Sequence, residues 1–329
     1  MFAEYLESHD RGPRIDDPDR QVPTMRQPES LDNNANNLLE RLLSRYNPDY
    51  GLGHMSPSIY DTAWVSIVSK NHKWLFPSAF QYLLAHQSSS GGWESPSSKI
   101  DSILNTLGAL LSLVYHSDSG DLSDRISKAE RCLSSLLSSW DVSSTERVGF
   151  EVTVPTMLSL LSKKGVEFSF PHRPLLMDLN HAKLSKLVKL SKLVPEIIYQ
   201  HRTPILHSLE GLIGHLNFDK LAHHKRHGSF MASPSSTAAY LMNASVWDDA
   251  CEAYLREVLS QCKIYGEGSV PCAWPITFFE LSWVSDSEVI LYISCVQLNW
   301  IIRLSVIFEM AALSSIILIE IHLQKFRPC

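Results

Sequence analysis

The sequence predicts an all-α fold. Three observations carry it. Apolar residues recur at intervals of three and four along most of the chain. The period-two alternation of half-buried strands is nearly absent. Loops of Ser, Pro and Gly separate the periodic stretches, as they do between paired antiparallel helices. Of the 329 residues, 44% are hydrophobic, enough for a sizeable core and for one to three domains.

The elements follow in chain order. Residues 1–36 are polar and rich in Asp, Arg, Pro and Asn, which predicts a disordered lead-in. Leu38, Leu39, Leu42, Leu43 and Tyr46 then share a helix face. In "SPSIYDTAWV", Ser56 or Ser58 can cap a helix and Pro57 suits its first turn. Asp61 stands three residues after Ser58, a capping-box spacing, and its charge suits a helix start. Asp61 is therefore expected to begin a helix rather than to do chemistry. Tyr60 and Trp64, four apart, share one face of that helix.

"QSSSGGW" follows, from Gln87 to Trp93. Its glycine turn lets Trp93 pack across a helix junction while Gln87 bonds a neighbouring helix end, a structural clamp. Helical spacing continues over residues 103–114, 126–137, 154–161, 205–216 and 247–259. "KLSKLVKLSKLV", Lys183 to Val194, reads as an amphipathic helix with solvated lysines. Residues 289–321 are strongly apolar but broken by Gln297, Asn299, Arg303 and Glu309. Buried helices are expected there rather than a membrane span.

Composition excludes several classes. A net charge of -6 gives no general affinity for nucleic acid. The six cysteines form no C-x-x-C pair, which argues against zinc and disulfide scaffolds and for a reducing, cytoplasmic setting. The first residues lack the apolar core of a secretory signal. "WDDACE", Trp247 to Glu252, reads as a helix start opened by Ser245 and Asp248, not as a Mg²⁺ site. "HLNFDKLAHHKRHGSF" gathers four histidines, two lysines and an arginine in a solvated loop, with anion contact as the alternative. From residues alone the reading ends at an all-α protein of helical hairpins.

Several stretches together resemble a known family. "SPSIYDTAWV" is similar to the S-x-YDTAWVA signature of class II diterpene cyclases, the copalyl diphosphate and kaurene synthase family. "QSSSGGW" is similar to that family's Q-x-x-D-G-S-W, with Ser90 and Gly92 in place of Asp and Ser. "IDSILNTLGALLSL", "VGFEVTVPTML", "TPILHSLEGL", "GSFMASPSSTAAYLMN" and "SVPCAWPITFFELSWV" follow in the family's order. The match covers residues 37–284, and "FMASPSSTAAYLM" with "WDDACEAYLR" looks most like the bifunctional fungal cyclases.

The resemblance implies an α-barrel fold: first β-domain helices at 37–69, an inserted γ domain at 70–265, and a resumed, incomplete β domain at 266–287. The apolar stretch 288–329 falls outside the match. It implies geranylgeranyl diphosphate as substrate, Mg²⁺ as cofactor, and cyclisation begun by a protonated aspartic acid. That acid belongs to a D-x-D-D motif, which the 329 residues do not contain, so a truncated and inactive cyclase is expected. His207 matches a histidine that positions a water base in plant-type members. Cys272 stands where its partner Asn is expected. Of the family's acidic, Mg²⁺-linked stretch only Asp141 and Glu146 are present. Two alternatives stay open: a non-catalytic helical protein that binds prenyl diphosphates or pairs with a cyclase, and a membrane-attached helical protein.

Overall fold

A computed structural model of the chain describes residues 37, 40, 55–96, 98–193 and 197–276. The expected lead-in, the face of Leu38 to Tyr46, the 277–287 segment and the apolar stretch 289–321 lie outside the described residues. Residues 37 and 40 are helical and belong to a separate unit.

Nine α-helices stand among the described residues from Pro57 on: α1 Ile59–Ser66, α2 Pro77–Ala85, α3 Lys99–Tyr115, α4 Ser123–Ser138, α5 Phe150–Ser162, α6 Arg173–Leu193, α7 Ile197–Gln200, α8 Pro234–Asn243 and α9 Asp249–Gln261. A 3-10 segment, Pro204–Leu212, lies between α7 and α8. Strand structure is limited to two-residue pieces. β1 Pro57–Ser58 pairs antiparallel with β4 Val270–Pro271, and β2 Ser69–Lys70 with β3 Lys73–Trp74. Among the described residues no helix is long and apolar enough to cross a membrane.

Burial sorts the helices into two layers. Twelve of the seventeen residues of α3 are buried, against three of sixteen in α4. A helix buried all round belongs inside, and one with a single stripe, here Ala129, Leu133 and Leu137, lies on it. The chain alternates accordingly. α1, α3, α5, the 3-10 segment and α8 pack in a closed cycle, and α8 returns to α1. α2, α4, α6 and α9 each cover the inner helix next to them. No packing break marks the domain boundary expected at residue 70: α1 closes the same ring as helices from residue 99 onward.

The five inner segments run in the same sense. Tyr60, Leu104, Thr153, His207 and Ser235, from their amino-terminal parts, line one pocket. Ile67, Tyr115, Leu160, Ile213 and Met242, from their carboxyl ends, line a hollow at the opposite pole.

Local chemistry fits each element to its place. Pro155 inside α5 removes the N–H that would bond the Glu151 carbonyl. Asn180 of α6 donates to that carbonyl instead, at 2.8 Å. Buried His116 hydrogen-bonds the Ser66 carbonyl at the end of α1 (3.0 Å) and stacks on Phe80. Residues 204–212, expected as part of a regular helix, are 3-10 and kinked at Ser208. The kink turns Glu210 inward, and Gly211 lets the segment approach α5 so closely that Thr156 donates to its carbonyl at 2.7 Å.

The Gln87–Trp93 turn binds three elements. Gln87 donates to the Gly91 and Arg125 carbonyls, and Arg125 donates back to its amide oxygen. Trp93, 3% exposed, donates from Nε1 to the Leu83 carbonyl at 3.0 Å. Gly91 has φ +96°, and a Cβ there would strike the Lys128 backbone. At Gly92 a Cβ would lie 2.4 Å from the Cys132 sulfur, so glycine here and cysteine there are one compensated pair. Gly92→Ser is expected to cost about 1–3 kcal/mol by overpacking. In a Cys132→Ala background most of that cost should vanish. Urea unfolding of the four proteins in the cycle measures the coupling.

Candidate functional site

The chemistry collects at the amino pole of the ring. Ser58 is the N-cap of α1: its hydroxyl accepts from the Asp61 N–H at 3.2 Å and donates to the Asp61 carboxylate at 2.5 Å. The second half of the expected capping box is therefore made by a hydroxyl, not by the Ser58 N–H. The other Asp61 oxygen accepts from the backbone N–H of Ser235, in the first turn of α8, at 3.3 Å. One carboxylate thus joins two helix starts, each the positive end of a helix dipole.

Glu210 lies beside it. Its oxygens accept from the Tyr60 hydroxyl (3.1 Å) and the Ser236 hydroxyl (2.9 Å). Asp61 is 4% exposed and Glu210 3%, unusual for groups that carry charge in water. Burial pushes Asp61 up from its ordinary value, while the Ser58 and Ser235 hydrogen bonds and the nearby His207 ring hold it back. Burial, with the Asp61 charge adding to it, raises Glu210 to about 7. The Tyr60 hydroxyl is held well above 10, by burial first and then by the Glu210 charge.

These groups line a pocket of about 70 Å³ with Leu104, Arg147, Val148, Gly149, Thr153, His207, Ser208 and Cys272. The structure brings together His207 and Cys272, which the resemblance pairs, and adds Asp61 and Tyr60. Cys272 is exposed as a residue, yet its thiol rests 3.4 Å from the Met55 sulfur, and burial with the Asp61 charge raises its pKa. Arg147 is ion-paired with Asp101. Trp64, on the same helix as Asp61, is buried and lines the hollow at the other pole. Gln87 and Trp93 stay in their turn.

Glu210 was not singled out from sequence. The signal was present: in "LHSLEGL" a carboxylate stands among Leu206, Leu209 and Leu212, all buried. The hollow at the carboxyl pole is larger, about 480 Å³, but Tyr115 is its one titratable lining residue. Size and chemistry disagree, and the chemistry decides for the smaller pocket.

Asp141 and Glu146 do not fit a Mg²⁺ site. Both are exposed, and Asp141 accepts from the Ser143 N–H and hydroxyl in a turn of its own, which holds its pKa down. Among the described residues no group of three His, Cys, Asp or Glu is placed to hold a metal. The acids of "WDDACE" are also engaged. Asp248, rather than Ser245, caps α9 through the Ala250 and Cys251 N–H groups. Glu252 receives Lys70, Trp247 and Arg256.

No protein-family model matches the chain. It is 46% identical over 266 residues to phyllocladan-16-alpha-ol synthase of Phomopsis amygdali, covering 76% of this chain and 26% of that protein. It is 45% identical over 269 residues to copalyl diphosphate synthase of Talaromyces verruculosus, covering 78% and 27%. The chain therefore spans about a quarter of the length of the curated relatives it matches. In structure it resembles ent-copalyl diphosphate synthase from Arabidopsis thaliana, solved with (S)-15-aza-14,15-dihydrogeranylgeranyl thiolodiphosphate. The TM-score is 0.58 at 30% identity, over 76% of this chain and 36% of that one.

An acid whose pKa is higher folded than unfolded keeps its proton longer in the fold. For Glu210 that stabilisation is complete below pH 4.5 and lost as pH rises toward about 7. The amplitude is about 3 kcal/mol, at about 1.4 kcal/mol per pH unit. Glu210→Gln is expected to remove the Glu210 share of this decline, leaving that of Asp61, which has the same sign. Urea midpoints of both proteins across this window test it.

Proposed function

We propose that this chain, a homologue of the fungal diterpene cyclases, forms one wall of a class II cyclase site for geranylgeranyl diphosphate. One observation carries the reading: His207, Asp61, Glu210 and Cys272 meet in one pocket at the pole where five parallel segments begin. In the proposed reaction the terminal alkene of the substrate is protonated, two rings close, and a base removes a proton to give copalyl diphosphate. Bifunctional members carry the product onward to a tetracyclic diterpene.

An alkene is a very weak base, so its acid must be kept protonated by an apolar, hydrogen-bonded setting. The 329 residues contain no D-x-D-D, and Asp61 is committed to two helix starts. The proposal therefore assigns the initiating acid to residues outside this sequence. His207 is assigned the orientation of the proton-accepting water, with Glu210 below it as a buried polar floor. A pocket of about 70 Å³ holds about two waters, not a twenty-carbon chain. The hydrocarbon must lie against a facing wall that the described residues do not supply. Mg²⁺ enters only as the counter-ion of the diphosphate, and no residue described here is assigned to it. In domain terms the proposal reads the ring from α1 to α9 as the γ domain, with α1 inside it rather than before the boundary expected at residue 70.

Incubation of the chain with geranylgeranyl diphosphate and Mg²⁺ is expected to yield no copalyl diphosphate. Turnover would refute the assignment of the acid elsewhere. Calorimetry with a non-hydrolysable geranylgeranyl analogue is expected to show binding that weakens on His207→Ala. Binding indifferent to His207 would place the ligand elsewhere and sink the proposed wall.

A further inference from the structure

The loop of clustered basic residues, which the cyclase reading does not use, folds against the start of the 3-10 segment. His224 closes the 3-10 turn Phe218–His224, and its Nε2–H donates to the Ile198 carbonyl of α7 at 2.8 Å. That bond ties the turn ending at His224 to α7, four residues before Arg202. Two atoms there are buried with no partner, Arg202 Nε and Thr203 Oγ1. Among the described residues neither Arg202 nor Arg226 has an ion pair. The guanidinium of Arg226 donates to the Lys225 carbonyl at 3.2 Å, and Lys225 itself is neutralised by Asp248.

The two guanidinium groups feel each other. Burial and then the Arg226 charge push Arg202 below its ordinary value. Burial, His223 and Arg202 hold His224 down. Two like charges that interact, with no ion pair among the described residues and beside an orphaned N–H and an orphaned hydroxyl, are costly on two counts. A buried unsatisfied donor costs about 1–3 kcal/mol, and each such group in a native fold asks for a missing partner. A water would satisfy the hydrogen bonds and leave the repulsion. An oxyanion satisfies both, and the planar fork of arginine suits its oxygens.

We infer that Arg202, Thr203 and Arg226 form a binding site for a phosphate-type oxyanion, with His223 at its rim. The oxyanion accepts from Arg202 Nε–H, from the Thr203 hydroxyl and from Arg226. The site stands apart from the pocket of Asp61 and His207, whose lining includes none of these residues. It would survive failure of the cyclase reading.

The test is thermal unfolding and calorimetry with inorganic phosphate, and separately with geranyl diphosphate, against chloride at equal ionic strength. A saturable rise in Tm with phosphate is expected. Arg226→Gln, at an exposed position, should weaken binding about tenfold, the loss of one charge-assisted contact. Thr203→Val should weaken it less, and Lys164→Gln, an exposed control, not at all. If geranyl diphosphate binds with the same Arg226 dependence and competes with phosphate, a phosphate ester is the natural source. If phosphate alone depends on Arg226, the source is the free anion. Phosphate and chloride acting alike, or binding indifferent to Arg226, would overturn the site.

Discussion

Two carboxyl groups almost out of contact with water organise the amino pole of this fold. Asp61 and Glu210 lie where α1, the 3-10 segment and α8 begin. Burial opposes their charge, and the positive helix ends and hydroxyl donors support it. The two resolve the conflict differently. The Asp61 carboxylate accepts one backbone N–H, from Ser235 of α8, and the hydroxyl of Ser58, the N-cap of α1. Glu210 has two hydroxyl donors and a charged neighbour, and its proton stays to about pH 7. The pair also engages the first turn of α8, which Ser233 caps: Asp61 accepts from the Ser235 N–H and Glu210 from the Ser236 hydroxyl. The segment from β4 follows from the same pole: Val270 N–H donates to Thr62 one residue past Asp61, and the Trp274 carbonyl accepts from Tyr254 of α9.

Much of the fold was legible in the sequence because helices bury periodic faces. The stripe of α4 and the apolar run of α3 are both visible there, and so is the Gln87–Trp93 turn. Residues 204–212 were legible as apolar and periodic, but not as 3-10. Their geometry is set by what they must reach: Glu210 to Tyr60 and Ser236, and the Gly211 carbonyl to Thr156. These contacts span sequence distances that no local pattern records. The same holds for Pro155, inside a stretch read as helical, where Asn180, 25 residues later, donates to the Glu151 carbonyl that the proline cannot bond.

The site was legible in parts that sequence could not join. Asp61 read correctly as a helix-start residue, and it is one. Its second bond, to α8, also puts it in the pocket, and only the closed ring could reveal that. His207 and Cys272 came from resemblance and share the pocket lining with Asp61. Glu210 went unread although it stands among leucines, since the pattern alone does not say whether such an acid turns to water or inward. Asp141 and Glu146 were the only acids available where the resemblance implies an Mg²⁺-linked stretch. Their turn spends Asp141 on Ser143 instead.

The two poles of the ring also constrain what chemistry this body can host. Five parallel segments put donor-rich ends at one pole and carbonyl-rich ends at the other. The carboxyl pole is broad and aromatic, with Trp64, Trp74 and Trp247 around the hollow, but it holds no carboxylic acid or imidazole among its lining residues. The amino pole is narrow, and Tyr60, Asp61, His207, Glu210 and Cys272 line its pocket. A buried acid with a pKa near 7 can be charged or neutral at small cost, so the floor of that pocket is electrostatically adjustable. Such a floor tolerates a positive charge above it by giving up the Glu210 proton, and tolerates a neutral ligand by keeping it. Asp61 has less of this freedom, because protonation would weaken the acceptor that joins two helices. Both acids therefore hold the architecture through their donors, Asp61 at two helix starts and Glu210 between Tyr60 and Ser236, and the Glu210 carboxyl can also change charge in response to what binds.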